Sequence, residues 1–105
     1  MTYVQQGDCI VMAIESFPEG ERILDDQAAR KILAYGEVTG HSHAISDEEN
    51  ACTVFRILNK LYIETSKPVA LKHEEHDTIS LTKGVWLVKR QSEFDPTTMQ
   101  RTVAD

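Results

Sequence analysis

The sequence predicts an all-β fold, a small single-domain barrel or sandwich of about seven or eight short strands. Three observations point to it. Apolar, β-branched runs recur at short, regular spacing along the 105 residues, turn-forming clusters punctuate them, and no long stretch carries helical periodicity. A chain of this length holds one core, so residues 1–105 read as one domain without linker, repeat or low-complexity tract.

Residues 8–14, DCIVMAI, are apolar with polar or Gly flanks and read as the first strand, ended by Pro18 and Gly20. Residues 22–30 read equally as a short helix, with Ile23, Leu24, Gln27, Ala28 and Lys31 along one stripe, or as a surface loop. Residues 31–35 form a strand, and Gly36 and Gly40 mark a bend before another strand through His41 and His43 to Ile45. After the acidic turn at 47–50, strands 52–58 and 61–65 flank Asn59 and Lys60, a pair suited to a tight hairpin because Asn accepts positive φ; one helix over 51–63 is the competing reading. Residues 68–72, 78–81 and 85–90 supply three more strands. Asp95-Pro96 is an N-cap and N1 pair, so the chain ends in a short helix from Pro96 to Ala104, with Met99 and Val103 as its apolar edge, or in a frayed tail.

With 11 basic and 17 acidic residues the chain carries a formal charge of −6, the opposite of what counterion release on nucleic acid or an anionic membrane requires. Nucleic acid is not an expected partner. Lys89-Arg90 beside Trp86 could pass for a basic aromatic patch, but two cations in an acidic chain read first as a solvated strand end. No apolar run reaches the ~18 residues of a spanning helix and the start lacks a signal-peptide pattern, so the expectation is a cytoplasmic protein without a membrane partner. Cys9 and Cys52 sit among apolar neighbours with no CxxC spacing and read as buried free thiols.

The four histidines carry the strongest signal. They fall in two doublets, His41-Ser-His43 and His73-Glu-Glu-His76. Residues two apart on a strand share a face, so His41 and His43 are placed to ligate one ion; His73 and His76, three apart, need a bend to do the same. With Glu37, Glu48, Glu74, Glu75 and Asp77 as accessory acids, this donor set suits a divalent transition metal such as Zn, Ni, Fe or Mn rather than Ca or Mg. Three protein ligands would leave a position open for activated water, whereas four would make the site structural. Two other readings stand beside the metal: solvated histidines on the surface of a non-catalytic interaction module, and a proton-linked switch. An unknown small molecule or protein is then the partner, and unpaired edge strands allow a homodimer. No phosphate loop, GxSxG or HExxH occurs, so hydrolase templates fail.

Two resemblances bear on the site. Gly36-(x4)-His41-Ser-His43-(x4)-Glu48 is similar in outline to the first motif of cupin-like metalloenzymes, but residues 81–86 (LTKGVW), which resemble the second, lack its Pro and its His. The cupin similarity therefore extends only to His41, His43 and Glu48, with His73 or His76 as a substitute ligand. More of the chain resembles a set of uncharacterised small bacterial and phage-type β-proteins, through Gln6-Gly7-Asp8, a GEVTGHxH segment, an HEEH segment and an RQxEYDP-like tail in which Phe94 replaces Tyr. That resemblance implies a conserved-order site and no particular activity.

Overall fold

In a computed structural model that describes residues 2–36 and 40–91, the apolar runs form nine strands and one helical turn. In chain order these are β1 (Tyr3–Gln6), β2 (Cys9–Ala13), α1 (Asp26–Ala29), β3 (Ile32–Tyr35), β4 (Ser42–Ser46), β5 (Cys52–Ile57), β6 (Lys60–Thr65), β7 (Val69–Lys72), β8 (Ile79–Leu81) and β9 (Gly84–Arg90). All pairing is antiparallel, in a five-stranded sheet ordered β1-β2-β9-β6-β5 and a four-stranded sheet ordered β3-β4-β7-β8. Of the two architectures the sequence allows, the chain adopts two open sheets and no closed barrel.

Alternation along the strands builds the core. Cys9 and Val11 from β2, Val54 from β5, Ile63 from β6, Trp86 and Val88 from β9 meet Ile45, Leu71 and Leu81 of the smaller sheet. The other face of the large sheet carries a second cluster, Phe55, Ile57 and Tyr62, covered by Phe17 from the β2–α1 loop with its ring 5.0 Å from Phe55. That cover explains why β5 reads as a nearly continuous apolar run, with both of its faces packed, and β2 is likewise buried on both faces.

Several expectations need correcting. The first strand of the fold is β1, missed because Tyr3–Gln6 is polar at its end. The ambiguous 22–30 segment is mostly loop with a single helical turn, capped by Asp25, whose carboxylate accepts from the Ala28 N–H at 2.8 Å. The competing helix over 51–63 does not form; β5 and β6 pair from Cys52↔Thr65 to Ile57↔Lys60. Their turn residues are Leu58 and Asn59 (φ 50° and 72°), one position earlier than the Asn59-Lys60 pair. The C-terminal helix from Pro96 to Ala104 and the Glu37 position lie outside the described residues.

Candidate functional site

The two histidine doublets come together at the end of the fold where the β1–β2 turn of the large sheet meets β4 and the β7–β8 loop of the small one. β4 pairs with β7 in the register Ala44↔Lys72, and one further step sets His73 opposite His43. On the other side of β4, His43 pairs with Ala34, and the Gly36 N–H donates to the His41 carbonyl at 2.9 Å, closing the bend. Residues 74–76 form the bend that His73 and His76 require. Ring centroids of His73 lie 5.8 Å from His41, 4.3 Å from His43 and 4.6 Å from His76, so His73 is the hub of the cluster. His43 and His76 are 6.0 Å apart and nearly parallel.

All four imidazoles line one cleft of about 240 Å³, together with Asp8, Glu75 and Arg90. Its walls approach closely. A Cβ on Gly7, whose φ is +58°, would stand 2.7 Å from His76 Nε2, and one on Gly36 would stand 3.1 Å from His73 Nε2. The glycines of the sequence motifs therefore make room for the two loop histidines.

His43 is the buried member, 3% exposed. Its Nδ1 lies 2.8 Å from Gln6 Oε1, and Gln6 Nε2 donates to the carbonyls of Leu71 (2.9 Å) and Asp77 (2.8 Å). Two carbonyl partners define which end of the Gln6 amide is nitrogen, so Oε1 must accept and His43 must carry its proton on Nδ1. The remaining nitrogen, Nε2, then keeps its lone pair. Burial, with the neighbouring His73, His76 and Arg90 adding to it, lowers the His43 pKa to about 4, so the ring is neutral at pH 7. A neutral imidazole held through Nδ1–H is the form in which histidine ligates metals.

His73 is held differently. Its Nδ1 accepts the Glu75 N–H at 3.0 Å, which leaves the proton of the neutral ring on Nε2. His41 Nδ1 is buried and, among the described residues, has no hydrogen-bond partner; Glu75 Oε2 stands 3.4 Å from it. Glu74 accepts the Ser42 N–H at 3.0 Å, and this bond first of all holds its carboxyl below the ordinary value of 4.5. One donor atom from each of His41, His73 and Glu74 lies within 4.8 Å of the others. Ligands of one tetrahedral Zn stand roughly 3.4 Å apart, so small side-chain rotations would bring these donors into reach of a single ion.

The accessory acids separate. Glu74 and Glu75 lie at the cluster, whereas Glu48 is exposed beyond the opposite end of β4 and does not line the cleft, so the cupin-like arrangement of His, His and Glu is not assembled. The sequence reading missed Arg90 as a cleft residue and Gln6 and Gly7 as the residues that back His43 and His76; the signal that could have found them was their place in the shared motifs, Gln6-Gly7-Asp8 and the 89–96 tail. The two thiols stay protonated and unreactive at neutral pH: burial pushes Cys9 up to about 12 and Cys52 up to about 11. Among the described residues, no helix is long and apolar enough to cross a membrane.

No curated protein and no solved structure matches the chain. A family model does match, over residues 5–91, a span that includes both doublets and the Gln6-Gly7-Asp8 turn. The chain therefore belongs to the family described as a domain of unknown function, DUF8820.

Proposed function

We propose that this domain binds one divalent transition metal ion, Zn, Ni, Fe or Mn, through the histidine cluster, with His73 as the central ligand. The observation that carries the reading is the convergence of three imidazoles, His41, His43 and His76, on the fourth, His73, from two separate chain segments. Neutral His43, whose Nε2 keeps its lone pair, and the buried Nδ1 of His41, which has no hydrogen-bond partner among the described residues, fit the same reading. Carboxylates at Glu74 and Glu75 would help to neutralise the ion. Histidines lying apart as a solvated recognition surface have less support, because these rings contact one another.

Ligation also has a structural cost that can be observed. His73 would bind through Nδ1 by giving up the Glu75 N–H bond, or through Nε2 by moving its proton to Nδ1, which breaks the same bond. Short of an imidazolate, binding opens the Glu75 turn either way.

Elemental analysis of tag-free protein, followed by Zn and Ni titration of the EDTA-treated chain, tests the proposal. The expected result is about one ion per chain, a raised Tm, and an altered Glu75 amide signal on binding. His73→Ala, at a half-buried position just before the bend, should retain the fold and lose the ion. Protein that contains no metal and shows no Tm change with either ion would overturn the reading.

A further inference from the structure

The histidine cluster offers more donors than one ion needs, and their placement separates ligands from neighbours. Among the described residues, His41, His73 and Glu74 form the group whose donor atoms all lie within 4.8 Å of one another. His73 and Glu74 are consecutive at the start of the β7–β8 loop, and His41 immediately precedes β4. A backbone bond ties the two segments together, because the Glu74 carboxylate accepts the Ser42 N–H at 3.0 Å. A carboxylate has about four lone pairs, so this bond leaves Glu74 able to ligate.

The same group has a direction. His41 and His73 line the 240 Å³ cleft, whereas Glu74 is exposed and does not line it. An ion held by the three would therefore sit at the rim, with its remaining coordination positions turned into the cleft. On that side stands His43, its ring centroid 4.3 Å from that of His73. Its Nδ1–H is taken by Gln6, so Nε2 is the atom that can accept a hydrogen bond from a coordinated water. Two neutral imidazoles and one carboxylate also leave a divalent ion with net positive charge, which favours an anion as the next ligand.

We propose that His41, His73 and Glu74 are the protein ligands and that the ion keeps a position open to the cleft, where it takes a small anion, hydroxide or a carboxylate of a few heavy atoms, beside His43. This rests on the metal reading above and makes the site a ligand-exchanging centre of the two-histidine, one-carboxylate kind, distinct from a closed structural site.

Titration of the Co-loaded full chain with azide and, separately, acetate tests this, followed in the visible ligand-field spectrum. A saturable change is expected with each anion. Glu74→Gln, whose amide oxygen still accepts the Ser42 N–H, should weaken Co binding about tenfold or more, whereas Glu49→Gln, which alters an exposed acid paired with Lys67, should leave it unchanged. Failure of the chain to bind Co would overturn the metal reading and this proposal together. Three results would overturn the proposal alone: bound Co that responds to neither anion up to ~10 mM, a response that appears only after Glu75→Gln or Glu37→Gln removes a fourth protein ligand, and Co affinity in the Glu74→Gln chain equal to that of the parent.

Discussion

The Gln6 amide holds the His43 ring in one tautomer by spending its own nitrogen on two backbone carbonyls. A nitrogen-detected NMR spectrum of imidazole-labelled protein at pH 7 should show His43 neutral with the proton on Nδ1. Gln6→Leu should remove that preference, leave the Leu71 and Asp77 carbonyls without their donor, and lower any metal affinity by about 10–100-fold. The doublets were legible in the sequence because side-chain chemistry and a spacing of two or three are local properties. Gln6 was not, since its partners are 37, 65 and 71 residues away and an isolated Gln on a polar strand carries no pattern.

Turns show where the elements are under strain and where they are braced. Leu58 occupies the first central position of the β5–β6 hairpin with φ 50° and is 74% exposed, so a branched apolar residue sits where Asn or Gly is favoured. Leu58→Asn should raise stability by about 0.5–1 kcal/mol, read as an increase of a few degrees in Tm. The β4–β5 turn is the opposite case. Asp47 is buried, which raises its pKa, but the Lys31 ammonium and the Ala51 and Cys52 N–H groups, each at 2.8 Å, outweigh burial and hold it below the ordinary 3.8. Asp47→Asn should cost roughly 3 kcal/mol in urea denaturation at pH 7, because it leaves Lys31 half-buried and unpaired. Most strands could be read from their β-branched runs, while the strand bounds at 58–60 slipped by one because the turn conformation rests on Leu58, a residue that sequence logic assigns to a strand. The edge of β5 is covered by Ile23, which exchanges two 2.8 Å backbone bonds with Arg56; this pairing between a loop and a distant strand leaves no periodic trace.

Across the whole molecule, the pKa of His43 ties stability to pH. The folded value, about 4, lies below the ordinary 6.5, so the unfolded chain takes up a proton first as the pH falls. Stability from this group is complete above pH 6.5 and is lost toward pH 4. In EDTA the unfolding free energy should fall by about 2 kcal/mol between pH 7.5 and 5, and His43→Gln should flatten that slope. The acidity of the chain suggested a field suited to a cation at the histidines; among the described residues Asp8 and Glu75 line that cleft together with Arg90, a mixture of charges that overall composition conceals. The hydrogen bonds of Gln6 have a kinetic consequence as well. The β1 side chain reaches the β7 backbone and the loop beyond it, so the histidine cluster is complete only once the two sheets have docked on each other, through contacts 65 and 71 residues apart in the chain. In a refolding experiment, uptake of a chromophoric ion such as Co would then lag behind sheet formation and would time the last closure of the molecule.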